Sequence, residues 1–329
     1  MRIFGLLDKN KDMNNTFEEE ILREHLTENG YNDGDIEEYI RENGVEKPYE
    51  AIMKRERING MKQKIRNSLR AYIIGDALGV PFEFKTKGTF NCTDFVGGGT
   101  HGQEAGTWSE ETSVMLCMLD ALTRSGNIDD AVVLFQENLK DWYYRGTFSV
   151  DGTFDVGKQI KDVITCDFTK FKTIYQMGNG ALLYAPVAYY FLNEEFEIND
   201  FRNFCEVTHF KSDCFYYGWK FGKMLIDNIQ GHLKFKREFP FHNKGDVINT
   251  YSFVVFHFSI SRNSMKNASL FECLCNIVNC GEDTDTNAAL LGLLLGTERE
   301  VNKKDWLRIR KHELADQIIN DFVERIPGF

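Results

Sequence analysis

The stretch Asn279-Cys280-Gly281-Glu282-Asp283-Thr284-Asp285-Thr286 constrains the fold of this chain more than any other. It stands between two apolar runs of helical character, Ala268 to Val278 and Ala288 to Leu295, and the second has almost no polar side chain. A helix apolar on every side is buried, so the acids and hydroxyls that open it are carried inside with it. One carboxylate at a helix N-terminus is favourable, because the first backbone N–H groups lack partners. Two interior carboxylates two residues apart are costly unless positive charge lies between them. Plain N-capping is the alternative reading, but a single Asp or Thr would serve it. The doubled acids of Asp283 and Asp285, followed by Thr286, point to a hard cation held by oxygen ligands.

One short stretch cannot complete such a site. A second acidic stretch lies far upstream, at Gly106-Thr107-Trp108-Ser109-Glu110-Glu111-Thr112, and it too opens an apolar run, Val114 to Leu122. Acids in the first turn of a helix are common on their own. Together the two stretches offer four carboxylates and up to three hydroxyls, enough for one or two magnesium-like ions with water completing the shells.

The remaining sequence bounds what surrounds this site. Proline is scarce, with 5 copies in 329 residues, which favours helices. The net charge of −11 argues against non-specific nucleic-acid binding. No run of 18 apolar residues occurs, so no membrane span is expected. The N-terminus does not read as a secretory signal. Eight cysteines without a Cys-x-x-Cys pair, several in apolar segments, suggest reduced, buried thiols in a cytoplasmic chain.

From Met1 to Glu46 there are 13 acids against 5 bases, a local net of −8. Two short helices are expected there, one from Thr16 and one around Ile36 to Ile40 that ends at Asn43-Gly44. Ile58 to Val80 reads as the first helix of the main domain, with Asp76 as an internal hydrogen-bonding acid. The glycine-rich Phe95 to Gly102 lacks a Gly-Lys-Ser/Thr ending and is no phosphate-binding P-loop; a connector or a lid fits it. Ile128 to Tyr144 is amphipathic, with Val132, Val133, Phe135 and Leu139 on one side. Lys234, Lys236, Arg237 and Lys244 mark a basic surface loop. Asp305 to Phe322 reads as one terminal helix. Successive glycines at Gly178-Asn179-Gly180 can expose backbone N–H groups to a diphosphate, or can simply form a turn.

The order of motifs resembles the ADP-ribosylglycohydrolases. The chain carries Gly75-Asp76-Ala77-Leu78-Gly79, Ser109-Glu110-Glu111-Thr112, Phe154-Asp155-Val156-Gly157, Gly178-Asn179-Gly180, Thr208-His209 and Asp283-Thr284-Asp285-Thr286 in that family's sequence. The resemblance implies an all-α fold, a compact orthogonal helical bundle over residues 59–329. Residues 1–58 do not resemble the family and form a small acidic helical extension. It implies two Mg2+ (or Mn2+) held by Ser109, Glu110, Glu111, Asp283, Asp285 and Thr286. Glu83, Glu111 and Asp285 are the implied catalytic residues. Asp155, Gly157, Gly178, Asn179, Gly180, His209 and Tyr251 are implied to bind substrate. The implied reaction is hydrolytic removal of ADP-ribose from a modified protein side chain. Ser109 before the acidic pair resembles members acting on arginine.

Two departures stand out. The family's usual Asp-Asp is Glu110-Glu111 here, longer by a methylene or about 1.5 Å. The basic side chain expected after Gly-Asn-Gly is also missing, because Leu183-Tyr184 precede Ala185-Pro186. The foreign acidic segment resembles the extra segments of bacterial immunity proteins that plug an ADP-ribosyltransferase toxin. Protection by binding through residues 1–58 is therefore the second functional expectation, and a mute ADP-ribose-binding module a further one. A phosphatase with an Asp-x-Asp nucleophile does not fit, since the preceding run is helix-like and the fifth position is Asn287.

Overall fold

A computed structural model describes residues 4–168, 177–234 and 245–328, with side chains from Thr16 onward. The basic stretch from Lys236 to Lys244 lies outside them. Among the described residues every regular element is helical. Strand-like pairing is confined to isolated bridges, Thr86 with Gly281, Gly98 with Gln103 and Gly178 with Asp246. The chain divides into two compact units, Met1–Met61 and Lys62–Phe329.

The first unit holds α1 (Phe4–Glu28), α2 (Asp33–Asn43) and the opening turns of α3 (Glu46–Gly79). Asn32 and Asp35 close a capping box on α2, and Gly44 ends it at φ 72° with its N–H on Ile40 O. Leu22, Leu26 and Ile36 form a small core, joined by Tyr39, Ile40, Val45 and Ile52. Two boundaries differ from the sequence expectation. Helix α1 begins at Phe4 rather than Thr16, because no proline interrupts the preceding residues. Helix α3 begins at Glu46 rather than Ile58, and its Pro48 falls in the first turn, where a missing N–H costs little.

In the second unit the rest of α3 leads into a 3₁₀ turn, Val80–Phe82. Then follow α4 (Glu110–Arg124), α5 (Ile128–Arg145), α6 (Lys158–Thr165) and a 3₁₀ segment, Asn179–Phe191. Next come α7 (Ile198–Cys205), α8 (Ser212–Ile229), α9 (Val247–Asn263), α10 (Leu270–Val278) and α11 (Thr284–Leu295). Helices α12 (Lys303–Trp306) and α13 (His312–Arg325) end the chain. Every residue of α11 is buried, as its composition requires. Helix α9 confirms the helical reading of Tyr251 to Ile260 despite a strand-like content of aromatic and β-branched residues. The terminal helix is two helices, because Lys311 takes φ 50° and Arg310 N–H donates to Gly106 O at 3.0 Å. Val133 is solvent-facing, unlike its expected partners Phe135 and Leu139. All eight cysteines are free thiols, as expected.

What positions the site is the contact of α3 with α11. A Cβ added to Gly75 would lie 2.2 Å from Ala288 O, and one on Gly79 would lie 2.3 Å from Asp285 Cα. Gly292 and Gly296 meet Ala71 O and Asn67 O in the same way, at 2.2 and 2.5 Å. The pairs run antiparallel, four residues apart on α3, so the two backbones touch along more than three turns. Thr284 Oγ1 donates to Gly79 O at 2.8 Å and fixes the register. Asp76 and Asp285 are thereby brought together across a glycine seam.

Candidate functional site

Asp76 lies inside α3, fully buried, and its carboxylate caps a neighbouring helix. It accepts from Ser109 N at 3.1 Å, Ser109 Oγ at 2.8 Å and Thr112 N at 3.0 Å. It thus satisfies the open N-terminus of α4 from outside, and places Ser109, Glu110 and Glu111 at the α3–α11 seam. The Ser109 hydroxyl also contacts Glu111 Oε2, and Thr286 Oγ1 donates to Glu111 Oε1 at 2.8 Å. The two acidic stretches, more than 170 residues apart, therefore share one hydrogen-bonded cluster. Ligand-type atoms of Asp76, Glu111 and Asp285 all lie within 4.8 Å of one another, as do those of Glu83, Asp283 and Asp285.

The cluster borders a cleft of about 540 Å³. Of the residues expected from sequence, Glu83, Glu110, Glu111, Asp155, Gly157, Gly178, Asn179, Gly180, His209, Asp283 and Thr286 line it. Ser109 and Asp285 are buried against it, at 2% and 1% exposure. Tyr251 does not line it. That ring is enclosed between α8 and α9, edge-on to Phe221 and tilted against Tyr217, with Lys220 Nζ 4.6 Å from its centroid. It sits one helical layer away from the position expected, because α9 turns its aromatic face inward onto α8. Asp155 takes φ 51° two residues before Gly157, the N-cap of α6, and its side chain lies in the cleft.

Electrostatics set the character of the cleft. Burial and then repulsion from Asp155 and Asp283 push the Glu83 carboxyl up to about 9. Burial pushes Glu110 up to about 8, against a hydrogen bond from Gly157 N–H that favours its charged form. Asp76, stabilised by its three donors, is still raised to about 6 by burial. Burial followed by neighbouring carboxylates raises Glu111 and Asp285 well above the usual range, and burial raises Asp155 and Asp283 as well. Asp285 Oδ2 is buried without a hydrogen-bond partner. So many carboxyl groups in one dry pocket cannot all be ionised unaided.

Three residues here were not singled out from sequence as site residues. His101, from the glycine-rich loop, contacts Glu83 Oε2 through Nε2 and lies 3.7 Å from Asp155 Oδ1. The loop reaches there because Gly99, at φ 72°, lies against Pro81 so closely that a Cβ would fall 2.0 Å from Pro81 O. Asp76 was expected as a structural hydrogen-bonder, which it is, but it also belongs to the carboxylate cluster. Gln159 lines the far end of the cleft beside His209. There the Gly178 to Gly180 turn offers fewer amides than its glycines suggest. Asn179 N–H donates to Gly245 O and Ala181 N–H to Gly178 O, while the Asn179 side chain donates to Asp283.

Chemically, the groups Asp76, Glu111, Asp285 and Glu83, Asp283, Asp285 bring carboxylate oxygens close enough that they could hold a hard cation. The unpartnered Asp285 oxygen and the mutual repulsion of the acids fit the insertion of positive charge. The chain is similar to the ADP-ribosylarginine hydrolase Tri1 of Serratia proteamaculans (strain 568), 33% identical over 102 residues, 31% of this chain and 27% of that protein. It matches ADP-ribosylarginine hydrolase Tri1 of Pseudomonas putida (strain GB-1) to the same extent. The chain thus spans only about a quarter of the length of these curated relatives in the matched region. Its fold is similar to that of a solved ADP-ribosylglycohydrolase-related protein complex, with a TM-score of 0.65 and 19% identity, covering 81% of this chain and 99% of that one. The sequence pattern of the ADP-ribosylglycohydrolase family matches residues 58–227, from the shared helix of the glycine seam through the Gly-Asn-Gly turn and beyond. With more than half its length matched and those same motifs meeting around one acidic cleft, the chain belongs to the ADP-ribosylglycohydrolase family.

Proposed function

We propose that this protein hydrolyses the N-glycosidic bond between ADP-ribose and a protein side chain, arginine first among them. The observation that carries the reading is the meeting of Glu111, Thr286 and Asp285 with an unpartnered buried carboxylate oxygen at the floor of an open cleft. We assign residues 59–329 as the catalytic domain and residues 1–58 as an extension to it. Ser109, Glu110, Glu111, Asp283, Asp285 and Thr286 would hold two Mg2+ or Mn2+ ions. When bound, these supply positive charge against the acids and Lewis-acid polarisation of ribose hydroxyls.

The residues of the chain do the rest. Glu83, turned into the cleft and held by His101, accepts a proton from the attacking water when it is in its ionised form. The water oxygen forms its bond to the anomeric carbon as the carbon–nitrogen bond breaks. That electron pair leaves on the guanidine nitrogen, which takes up the proton that Glu83 accepted from the water. Asp155, beside Glu83 and His101, faces the same space and is assigned to the ribose. The test is release of free ADP-ribose from arginine-, serine- and DNA-linked ADP-ribose, with and without magnesium. Release from none of the three refutes the reading.

A second reading concerns residues 1–58, and two observations favour it. That segment forms its own compact unit with its own small core, and it carries most of the net negative charge. We propose that it can engage the basic face of an ADP-ribosyltransferase toxin. Binding of such a toxin by the intact chain but not by a truncated one tests this.

A further inference from the structure

We propose, resting on the ADP-ribose reading above, that Phe84 and Glu282 at the rim of the cleft hold the departing guanidinium, the ring against its face and the carboxylate against its N–H groups, and so make arginine the preferred linkage. The backbone sets this up. Phe84 takes φ 62°, and so does Glu282. A bulky side chain at positive φ is an outlier, kept only where its surroundings over-determine it. Two short segments do so here. Phe84 N–H donates to Glu282 O and Glu282 N–H to Lys85 O, both at 2.8 Å, and Thr86 pairs with Gly281. Gly281 permits the approach, since a Cβ there would lie 2.5 Å from Lys85 O. The two outliers are therefore tied to each other, one just after Glu83 and the other just before Asp283.

That tie fixes what the rim presents. Phe84 and Glu282 both line the cleft and both meet solvent, Phe84 at 66% exposure. Single exposed rings are ordinary on a protein surface, but this one is held at the mouth of a cleft by a strained backbone. His101, which holds Glu83, stands edge-on to the Phe84 ring with 6.3 Å between centroids, so the ring and the proton acceptor share one neighbourhood. The nearby cations are engaged elsewhere. Lys85 Nζ lies 5.2 Å from the Phe82 ring centroid, and Lys158, which lines the cleft, pairs with Asp162. Among the described residues no lysine or arginine pairs with the Glu282 carboxylate.

The modified side chain belongs to another protein and can leave only through the open rim, so it meets Phe84 and Glu282 as it departs. The rim offers an aromatic face and a negative charge. A neutral serine hydroxyl uses neither. A guanidinium uses both, because it is a planar, weakly hydrated cation that stacks on rings and donates to carboxylates. It stays cationic when one nitrogen carries the ribose, since the charge is shared with the other two. Contacts made to that group already in the bound state lower KM more than they raise kcat.

The test is initial-rate hydrolysis of an arginine-linked ADP-ribosyl peptide by the full-length protein in magnesium, with binding of free ADP-ribose measured beside it by calorimetry. In Phe84→Leu and in Glu282→Gln we expect KM to rise about three- to fivefold, and about tenfold in the double variant, with kcat little changed. Phe84→Trp, which keeps an aromatic face, should hold KM near that of the unaltered protein. Free ADP-ribose has no guanidinium and should bind each variant as it binds the unaltered protein. On the unaltered protein, N-methylguanidinium should inhibit more strongly than the neutral N-methylurea of the same shape, a comparison that stands even if a variant fails to fold. An unchanged KM in both single variants, equal inhibition by the two small molecules, or a higher kcat/KM for serine-linked ADP-ribose overturns the inference and leaves ADP-ribose hydrolysis intact. So does a loss of free ADP-ribose affinity in step with the rise in KM, because the rim would then hold the nucleotide. Release of ADP-ribose from no linkage overturns both.

Discussion

Replacing Glu110 by glutamine tests whether the carboxylates really share a dry pocket. Glu110 is buried and its carboxyl is raised from 4.5 to about 8. A carboxyl whose folded pKa is raised favours the folded state in its protonated form. Its stabilisation is present in full below about pH 4.5 and is lost as pH rises through about 8. Each pKa unit corresponds to about 1.4 kcal/mol, so between about pH 5.5 and about pH 8 this carboxyl withdraws about 3 kcal/mol from the cation-free protein. For a domain of this size that is roughly 6–12 °C in Tm. Glutamine keeps an oxygen for Gly157 N–H but has no proton to lose, so the chelated variant should show a pH dependence flatter by that amount. Adding Mn2+ or Mg2+ should reverse the ranking at about pH 8. Saturation at 100 times Kd restores about 2.7 kcal/mol to the unaltered protein, and less to a variant lacking one ligand oxygen. The assay is thermal unfolding in chelator and in metal across that pH range. If the two chelated proteins share one pH slope, Glu110 is solvated and the account of the cleft is wrong.

Further outcomes follow from other parts of the structure. Asp285→Ala should abolish release of ADP-ribose while leaving the helical circular dichroism in place, and unaltered hydrolysis would remove Asp285 from the site. His101→Ala should lower kcat about tenfold or more, with KM little changed, because His101 positions Glu83 rather than the ligand; an unchanged kcat argues that the contact is idle. Gly75→Ala should cost about 1–3 kcal/mol or more in denaturant unfolding, since its Cβ would fall 2.2 Å from the Ala288 carbonyl and neither backbone can retreat. Deleting residues 1–54 should spare hydrolysis and lose toxin binding, and a truncated protein that keeps both disposes of the binding role.

The helices and the acidic pair of stretches were legible because they rest on local rules. An apolar run such as Ala288 to Leu295 has only one place to go, and acids at its head go there with it. The motifs bracketing the site were legible in the same way, each carried by a short run of residues. What escaped depended on long-range geometry. His101 reaches Glu83 through the fold of a glycine loop against Pro81, which no periodicity encodes. Gln159 became visible only when the fold set it beside His209 at the cleft. Tyr251 was expected at the ligand only through the family resemblance, and a motif position does not say which neighbours enclose a ring; here they are Tyr217 and Phe221. The break before His312 was missed for a related reason, since it is set by the tie from Arg310 to Gly106 and not by a glycine or proline in the sequence.

The exchange of Asp-Asp for Glu110-Glu111 looked from sequence like a threat to the cation site, and the structure shows where the extra length goes. Glu110 extends across the cleft from α4 to accept the N–H of Gly157, in the turn that also presents Asp155. A Cβ on Gly157 would lie 3.1 Å from Glu110 Oε1, so the glycine and the longer acid are matched to each other. Glu111 spends its length differently, spanning from α4 to the head of α11, where Ser109 holds one oxygen and Thr286 the other. The helix need not retreat, because each added methylene is taken up by a partner that a shorter side chain would reach less well. It follows that Glu111→Asp should not act as a restoration of the commoner pattern. It should loosen the tie between α4 and α11, weaken cation binding measured by calorimetry, and lower stability in chelator by about 1 kcal/mol or more. Tighter cation binding by Glu111→Asp than by the unaltered protein would show instead that the glutamate is a strained substitute.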